Sequence, residues 1–278
     1  MKNAIITSID SHYGDFLIHH WLTSLKANVK LNSVDVVILD FGLTHSQLKT
    51  LIKEKVIVVP CKQTGHIVNT RFIELLHFLE QNAYDQILFV DGGDIIFQDD
   101  ILHLFDQDKD IFRAVKLDLE VLFYEVFIPR NFDKQEGKKM YEYLKSKPVL
   151  NAGFILGPRR KFIHMCKRMN EAIINKNVYG PDQVALNYFL YQEGVKLLNR
   201  TYNFMITTAN EGFDIKKGTF YFNSGEKIVV VHNAGHDRFL RPIKNFGYGE
   251  NCNTLNPFVY HLRRSFFKLV GMIKRRQE

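Results

Sequence analysis

The sequence predicts an α/β protein: a mixed, mostly parallel sheet flanked by helices and followed by an amphipathic helical tail. Three observations carry that prediction. Short β-branched apolar runs alternate with stretches of helical period, the rhythm of strand-helix-strand units. Runs such as ILFV (87–90) are apolar at every position, as strands covered on both faces are. A length of 278 residues, with 46% hydrophobic and 24% charged side chains, supports a large core and argues against disorder.

In chain order, the strand candidates are AIITSI (4–9), VDVVILD (34–40), KVIVV (55–59), ILFV (87–90), VLNAGFIL (149–156), VKLL (195–198) and IVVVH (228–232). Between them DFLIHHWLTSLK (15–26), RFIELLHFL (71–79) and KFIHMCKRMNEAII (161–174) read as helices, with Leu75 and Leu79, or Phe162, Cys166 and Met169, recurring on one face. Another helix opens after Gly180-Pro181, and Asp99-Asp100 before ILHLF reads as an N-cap with a first-turn acid. Residues 117–148 are the least regular and carry DKQEGKK, read either as an insertion over the site or as a surface excursion. No repeat, low-complexity segment or linker interrupts the chain before about residue 253, so residues 1–252 are expected to form one domain and 253–278 a tail.

The net charge of +7 does not describe a nucleic-acid groove. Arg263, Arg264, Lys268, Lys274, Arg275 and Arg276 face one acid, Glu278, in the last 21 residues, which leaves the rest of the chain near neutrality. Three widely spaced cysteines, Cys61, Cys166 and Cys252, suit free thiols in a reducing cytoplasm better than a disulfide framework. The opening MKNAIITSID lacks the apolar core of a signal peptide, and no run of about 18 apolar residues occurs, so secretion and membrane spanning are not expected.

ILFVDGGDIIF (87–97) interrupts a buried strand pattern with two acids and two glycines, residue types that weaken strands. In open parallel sheets the carboxyl ends of strands face the binding crevice. Asp91 and Asp94 can converge on a hard cation such as Mn²⁺ or Mg²⁺ if the backbone turns at Gly92-Gly93. A simple Asp-Gly turn at a strand end is the other reading. The small residues inside VLNAGFIL imply either close approach of a ligand or a bulge.

ILFVDGGDIIF, then VLNAGFILGPRRKF, GPDQVALN and VVVHNAG, in this order and spacing, resemble the retaining nucleotide-sugar glycosyltransferases of the GT-A fold, family 8 in particular. The pattern covers roughly residues 3–245. The resemblance implies a metal site of Asp91, Asp94 and His232, with Gly235 following the histidine. DGGD is one residue longer than the family's D-x-D, so Asp94 is the firmer ligand, and Asp91 either binds metal or holds the ribose. It places Asn151, Ala152 and Gly153 beside the donor sugar, and Asp182 and Gln183 at its reacting face, where N-capping is the alternative for Asp182. Ser8, Asp10 and Tyr13 match the uridine-binding loop, Arg71 a donor-site arginine, and Arg238 and Arg241 a basic segment that closes over the diphosphate.

The expected activity is transfer of a hexosyl unit from a nucleotide sugar, UDP-hexose foremost, to a glycan or lipid-linked acceptor with retention, in bacterial surface polysaccharide or lipopolysaccharide synthesis. Two rivals belong to other classes: a sugar nucleotidyltransferase, and a non-catalytic binder on a degenerate scaffold. TSIDSHYGD has one glycine and no lysine or arginine, unlike the basic phosphate loop of the former. In the tail, Asn256 and Pro257 start a helix whose Phe258, Leu262, Phe266, Leu269, Val270 and Ile273 share a face. Such a basic amphipathic helix reads as an anchor to anionic lipid at the inner leaflet, with core packing as the alternative.

Overall fold

The computed structural model describes residues 2–119, 122–235 and 241–275. The first half reads β1 (Asn3–Ile9), α1 (Ser11–Phe16), a π-helical turn (Leu17–Leu22), α2 (Thr23–Asn28), β2 (Val34–Asp40), α3 (His45–Lys53), β3 (Ile57–Pro60), α4 (Ile67–Gln81), β4 (Gln86–Val90), β5 (Ile95–Phe97) and β6 (Phe112–Lys116). It continues α5 (Phe123–Asn131), α6 (Lys134–Leu144), β7 (Leu150–Pro158), α7 (Arg159–Ala172), α8 (Pro181–Glu193), β8 (Val195–Leu197), β9 (Phe204–Met205), β10 (Phe213–Lys216), β11 (Thr219–Phe222), β12 (Val230–His232) and α9 (Pro257–Arg275).

Seven strands form the main sheet in the order β3-β2-β1-β4-β7-β6-β8. All share one direction except β7, which is antiparallel to both neighbours. Alternation along the strands divides the core between the two faces, as period-2 geometry requires. Ala4, Ile6, Val37, Leu39, Ile87 and Phe89 pack on one side, and Ile5, Ile9, Val36, Ile38, Leu88 and Val90 on the other. Both faces are covered, so the strands carry no polar stripe. The fold is the predicted α/β class.

Each run proposed as a strand is one, but IVVVH is not in the main sheet. Its β12 lies in a separate three-stranded sheet, β5-β12-β9, antiparallel to β5 and parallel to β9. Composition could not reveal this, because a buried β-branched strand looks alike in either sheet. The irregular stretch 117–148 holds α5 and α6, with Asp133 capping α6 through Gln135 N and Glu136 N. Asp100 accepts from Leu102 N at the start of a short 3-10 turn, and Asn256 accepts from Val259 N at the start of α9. All three cysteines are free thiols.

Candidate functional site

The site grows out of strand register. β4 ends at Val90, opposite Phe154 of β7, and the next residue, Asp91, donates its N–H to Gly153 O (3.0 Å). Because β7 runs backwards, its beginning, Asn151-Ala152-Gly153, lies at the carboxyl edge of β4. Four residues on, β5 pairs with β12 so that Ile95 faces His232, and Asn233 N donates to Asp94 O (2.9 Å). Asp94 and His232 are thus brought together by the small sheet, and Asp91 by the large one.

The three side chains converge. One ligand atom from each of Asp91, Asp94 and His232 lies within 4.8 Å of the others. His232 Nε2 stands 3.2 Å from Asp94 Oδ1 and 3.7 Å from Asp91 Oδ2. It is buried, and no hydrogen-bond partner satisfies it. His232 Nδ1 is 3.0 Å from Asn203 Oδ1, and Asn203 Nδ2 donates to Asn151 Oδ1 (2.8 Å). Since Asn203 Oδ1 can only accept, Nδ1 carries a proton, and Nε2 is the nitrogen turned toward the acids, the one a metal would take in place of a proton. An orphaned imidazole nitrogen aimed at two carboxylates fits a divalent cation, and the nitrogen ligand suits Mn²⁺ better than Mg²⁺. Burial alone lowers the His232 pKa, yet Asp94 and Asp91 outweigh it and the net direction is upward. Burial raises the Asp94 carboxyl, while His232 and Arg241 overcome it and hold it low.

The glycines serve packing. Neither Gly92 nor Gly93 takes a left-handed backbone. A Cβ on Gly92 would lie 2.6 Å from Thr7 Oγ1, and one on Gly93 2.9 Å from the Tyr13 ring. Gly153 is the tightest: its Cβ would meet His232 Cε1 at 2.5 Å and Asp91 Oδ2 at 2.8 Å. The small residues of VLNAGFIL thus make room for the ligating side chains themselves.

Arg71, in the second turn of α4, is 7% exposed. It forms an ion pair with Asp91 Oδ1 and reaches Asp182 Oδ2 at 3.4 Å. Burial opposes its charge, but Asp91 and Asp182 restore it and raise its pKa. Burial pushes the Asp182 carboxyl up to about 6, with Arg71 pulling the other way. Asp182 does not cap α8; Gly180, at φ +109°, holds that position without a side-chain bond. Gln183 accepts from Ala152 N (3.1 Å) and donates to Leu150 O, so its amide is fastened to β7 at both ends. That leaves its Oε1 a poor nucleophile.

Asp10 caps α1 with one carboxylate oxygen, accepting from His12 N and Tyr13 N. Ser8, Asp10 and Tyr13 line the same cleft as the acids. Arg241 donates to Gly235 O and reaches Asp94 Oδ2 at 3.3 Å. Arg238 lies outside the described residues. The cleft has a volume of about 760 Å³, within the range of ligand sites. Besides the expected polar residues it is bounded by Phe123, Val126 and Phe127 of α5 and by Phe266, Phe267 and Val270 of α9.

Two features escaped the sequence reading. Asn203 precedes β9 in no motif, and only the β5-β12-β9 pairing brings it to His232. The apolar wall was legible merely as hydrophobic residues, with nothing to separate a cleft lining from core.

This is the GT-A arrangement: a mostly parallel sheet whose carboxyl edge, with a small second sheet, surrounds a cleft with a candidate cation site. Among solved structures, the galactosyltransferase LgtC in complex with donor and acceptor sugar analogs is similar at a TM-score of 0.57 and 18% identity, with 95% of each chain covered. An active-site mutant of LgtC carrying glutamate for glutamine matches at 0.56 and 18% identity. The bifunctional glycosyltransferase WbbM matches at 0.57 and 14% identity, over 87% of this chain and 46% of that one. No protein-family model and no curated protein matches the sequence.

Proposed function

We propose that this chain is a metal-dependent retaining glycosyltransferase, moving a hexosyl unit from a nucleotide sugar, UDP-hexose foremost, to a glycan or glycolipid acceptor in bacterial surface polysaccharide synthesis. The observation that carries the reading is the convergence of Asp91, Asp94 and His232 at the carboxyl edge of the sheet, in a cleft sized for a nucleotide sugar. Asp91, Asp94 and His232 would hold Mn²⁺ or Mg²⁺, which when bound neutralises charge on the departing diphosphate. Arg241, already turned toward Asp94, adds a second positive group there. Tyr13, Ser8 and Asp10, which line the cleft, would recognise the base and ribose. Asn151, Gly153 and Asp182 border the sugar. Asp182, paired with Arg71, is placed to accept from a sugar hydroxyl. The fastened amide of Gln183 favours internal return, in which the leaving phosphate takes the acceptor proton, over a protein nucleophile.

Purified protein is expected to release nucleotide from one donor in a panel of nucleotide sugars with Mn²⁺, more slowly with Mg²⁺, and not at all with EDTA. Release unaffected by EDTA would sink the metal reading, and no release or nucleotide binding with any donor would favour a degenerate binder.

Attachment of α9 to an anionic membrane is part of this proposal. Among the described residues, no helix is long and apolar enough to span a membrane. Phe258, Leu262, Phe266, Leu269 and Ile273 nevertheless stand 45–75% exposed along one side of α9, a helix that also carries Arg263, Arg264 and Lys268. Of the face predicted from sequence, Val270 alone is buried, 7% exposed, and both it and Phe266 line the cleft. Cosedimentation with phosphatidylglycerol vesicles should weaken more than tenfold in a Phe258→Ser/Leu262→Ser/Leu269→Ser variant, as three apolar contacts worth about 1.5 kcal/mol or more each imply. Equal binding by the variant would remove the membrane from the proposal.

A further inference from the structure

The cleft has two unlike ends. At one stand the carboxylates, His232 and Arg241; elsewhere the lining is made by apolar side chains of α5 and α9, with Arg263 of α9 beside them. Phe123 stacks on Phe127 (6.0 Å between centroids), and Phe127 meets the Tyr179 ring edge-on (6.2 Å). Phe266, Phe267 and Val270 line the same cleft, and Phe267 packs against the same core cluster as Phe123 and Phe127. This band lies close to the chemistry: Phe127 presses on Gly180, where a Cβ would sit 2.4 Å from its ring, two residues before Asp182. Leu122, Val126 and Val270 add aliphatic surface to the same lining. Val126 is 58% exposed and Phe266 59%. An apolar channel that remains half open beside a polar reaction centre calls for a ligand that is apolar at that point.

The band is continuous with the outer stripe of α9. Phe266 belongs to both, lining the cleft while standing in the row Leu262, Phe266, Leu269. The same helix carries Arg263, Arg264 and Lys268, and Arg263 also lines the cleft. Positive charge beside a continuous apolar path matches an anionic lipid surface.

We propose that the acceptor is a sugar joined directly to a lipid, with the first methylenes of the lipid held between α5 and α9 and the remainder leaving along α9. The inference rests on the glycosyltransferase reading and names its acceptor class. In the step it implies, the acceptor hydroxyl oxygen bonds to the anomeric carbon of the donor while that carbon's bond to the diphosphate oxygen breaks. The hydroxyl proton leaves with the diphosphate. The apolar band takes no part in bond making; it fixes which hydroxyl is presented, by gripping the aglycone immediately behind the sugar.

The test compares methyl and octyl glycosides of glucose, galactose, mannose and N-acetylglucosamine, below micelle-forming concentration and without vesicles. The octyl form of the accepted sugar is expected to show a KM at least tenfold below its methyl form, as burial of a few methylenes implies. The ratio should fall toward one in Phe123→Ala and, separately, in Phe267→Ala, on different helices. Using a ratio within each variant cancels any general loss of activity or folding. Octyl glucoside with a terminal diazirine, independently of turnover, should label residues within 122–127 and 263–270. Equal KM values for methyl and octyl forms, an octyl advantage that survives both variants, or labelling outside both segments would overturn the proposal. Release of nucleotide from the donor without acceptor, assayed alongside, reports on the glycosyltransferase reading itself; donor release with no chain-length effect rejects this inference alone.

Discussion

Asp94→Asn is expected to reduce metal-dependent nucleotide release by at least about a hundredfold and to weaken Mn²⁺ binding in a direct titration of the protein. Asp94 faces His232 Nε2 at 3.2 Å and Arg241 at 3.3 Å, so it holds together the imidazole and the cation placed to meet the diphosphate. Asparagine keeps the shape but removes the charge and one strong metal-ligand oxygen. The fold should tolerate the change, since Asp94 precedes β5 and its backbone carbonyl still accepts from Asn233 N. Unaltered Mn²⁺ affinity together with unaltered turnover would make DGGD a turn and not a metal site.

Arg71→Leu should destabilise the fold by roughly 3–5 kcal/mol, the cost of leaving a buried charge without its partner. Arg71 is the shared cation for Asp91 and Asp182, and Asp182 is itself 5% exposed. The pH dependence follows from the sign of the Asp182 shift. The folded Asp182 pKa is already raised to about 6 by burial against Arg71's pull. Without the arginine Asp182 binds its proton still more readily in the folded state than in the unfolded one. Where the native state holds more protons, stability falls as pH rises. The loss should therefore be smaller at pH 5, where protonation relieves the buried charge, and larger at pH 8. Urea unfolding of both proteins at the two pH values measures it. A loss independent of pH would locate the effect in stacking of the Arg71 guanidinium on Phe72 and Phe89, not in its pairing with the acids.

Much of the architecture was legible because buried strands have a local signature. ILFV, VDVVILD and VLNAGFIL need only be apolar and bounded to be recognised, and all three lie in the main sheet. A strand without that signature was missed: FRAVK of β6 carries charge, and its buried Arg113 donates to Leu104 O, Gln107 O and Gln86 Oε1. Nothing local reports that an arginine will find three acceptors. Helix α3 was passed over although Thr44 and Gln47 form a capping box at its start, a signal the sequence does carry.

From the sequence alone came the fold class, the strand-end acids and the small residues opposite them, because these follow from residue type and near spacing. Register and direction came only from the tertiary structure. Reversal of β7 sets Gly153 beneath Asp91, and pairing of β5 with β12 joins Asp94 to His232, 138 positions along the chain. The orientation of His232 by Asn203, the sharing of Arg71 between two acids and the common cleft lining of α5 and α9 likewise join distant segments. Local pattern encodes what a segment becomes; which segments meet is decided by the packing of the whole chain, where each pairing is favourable only once the others have formed.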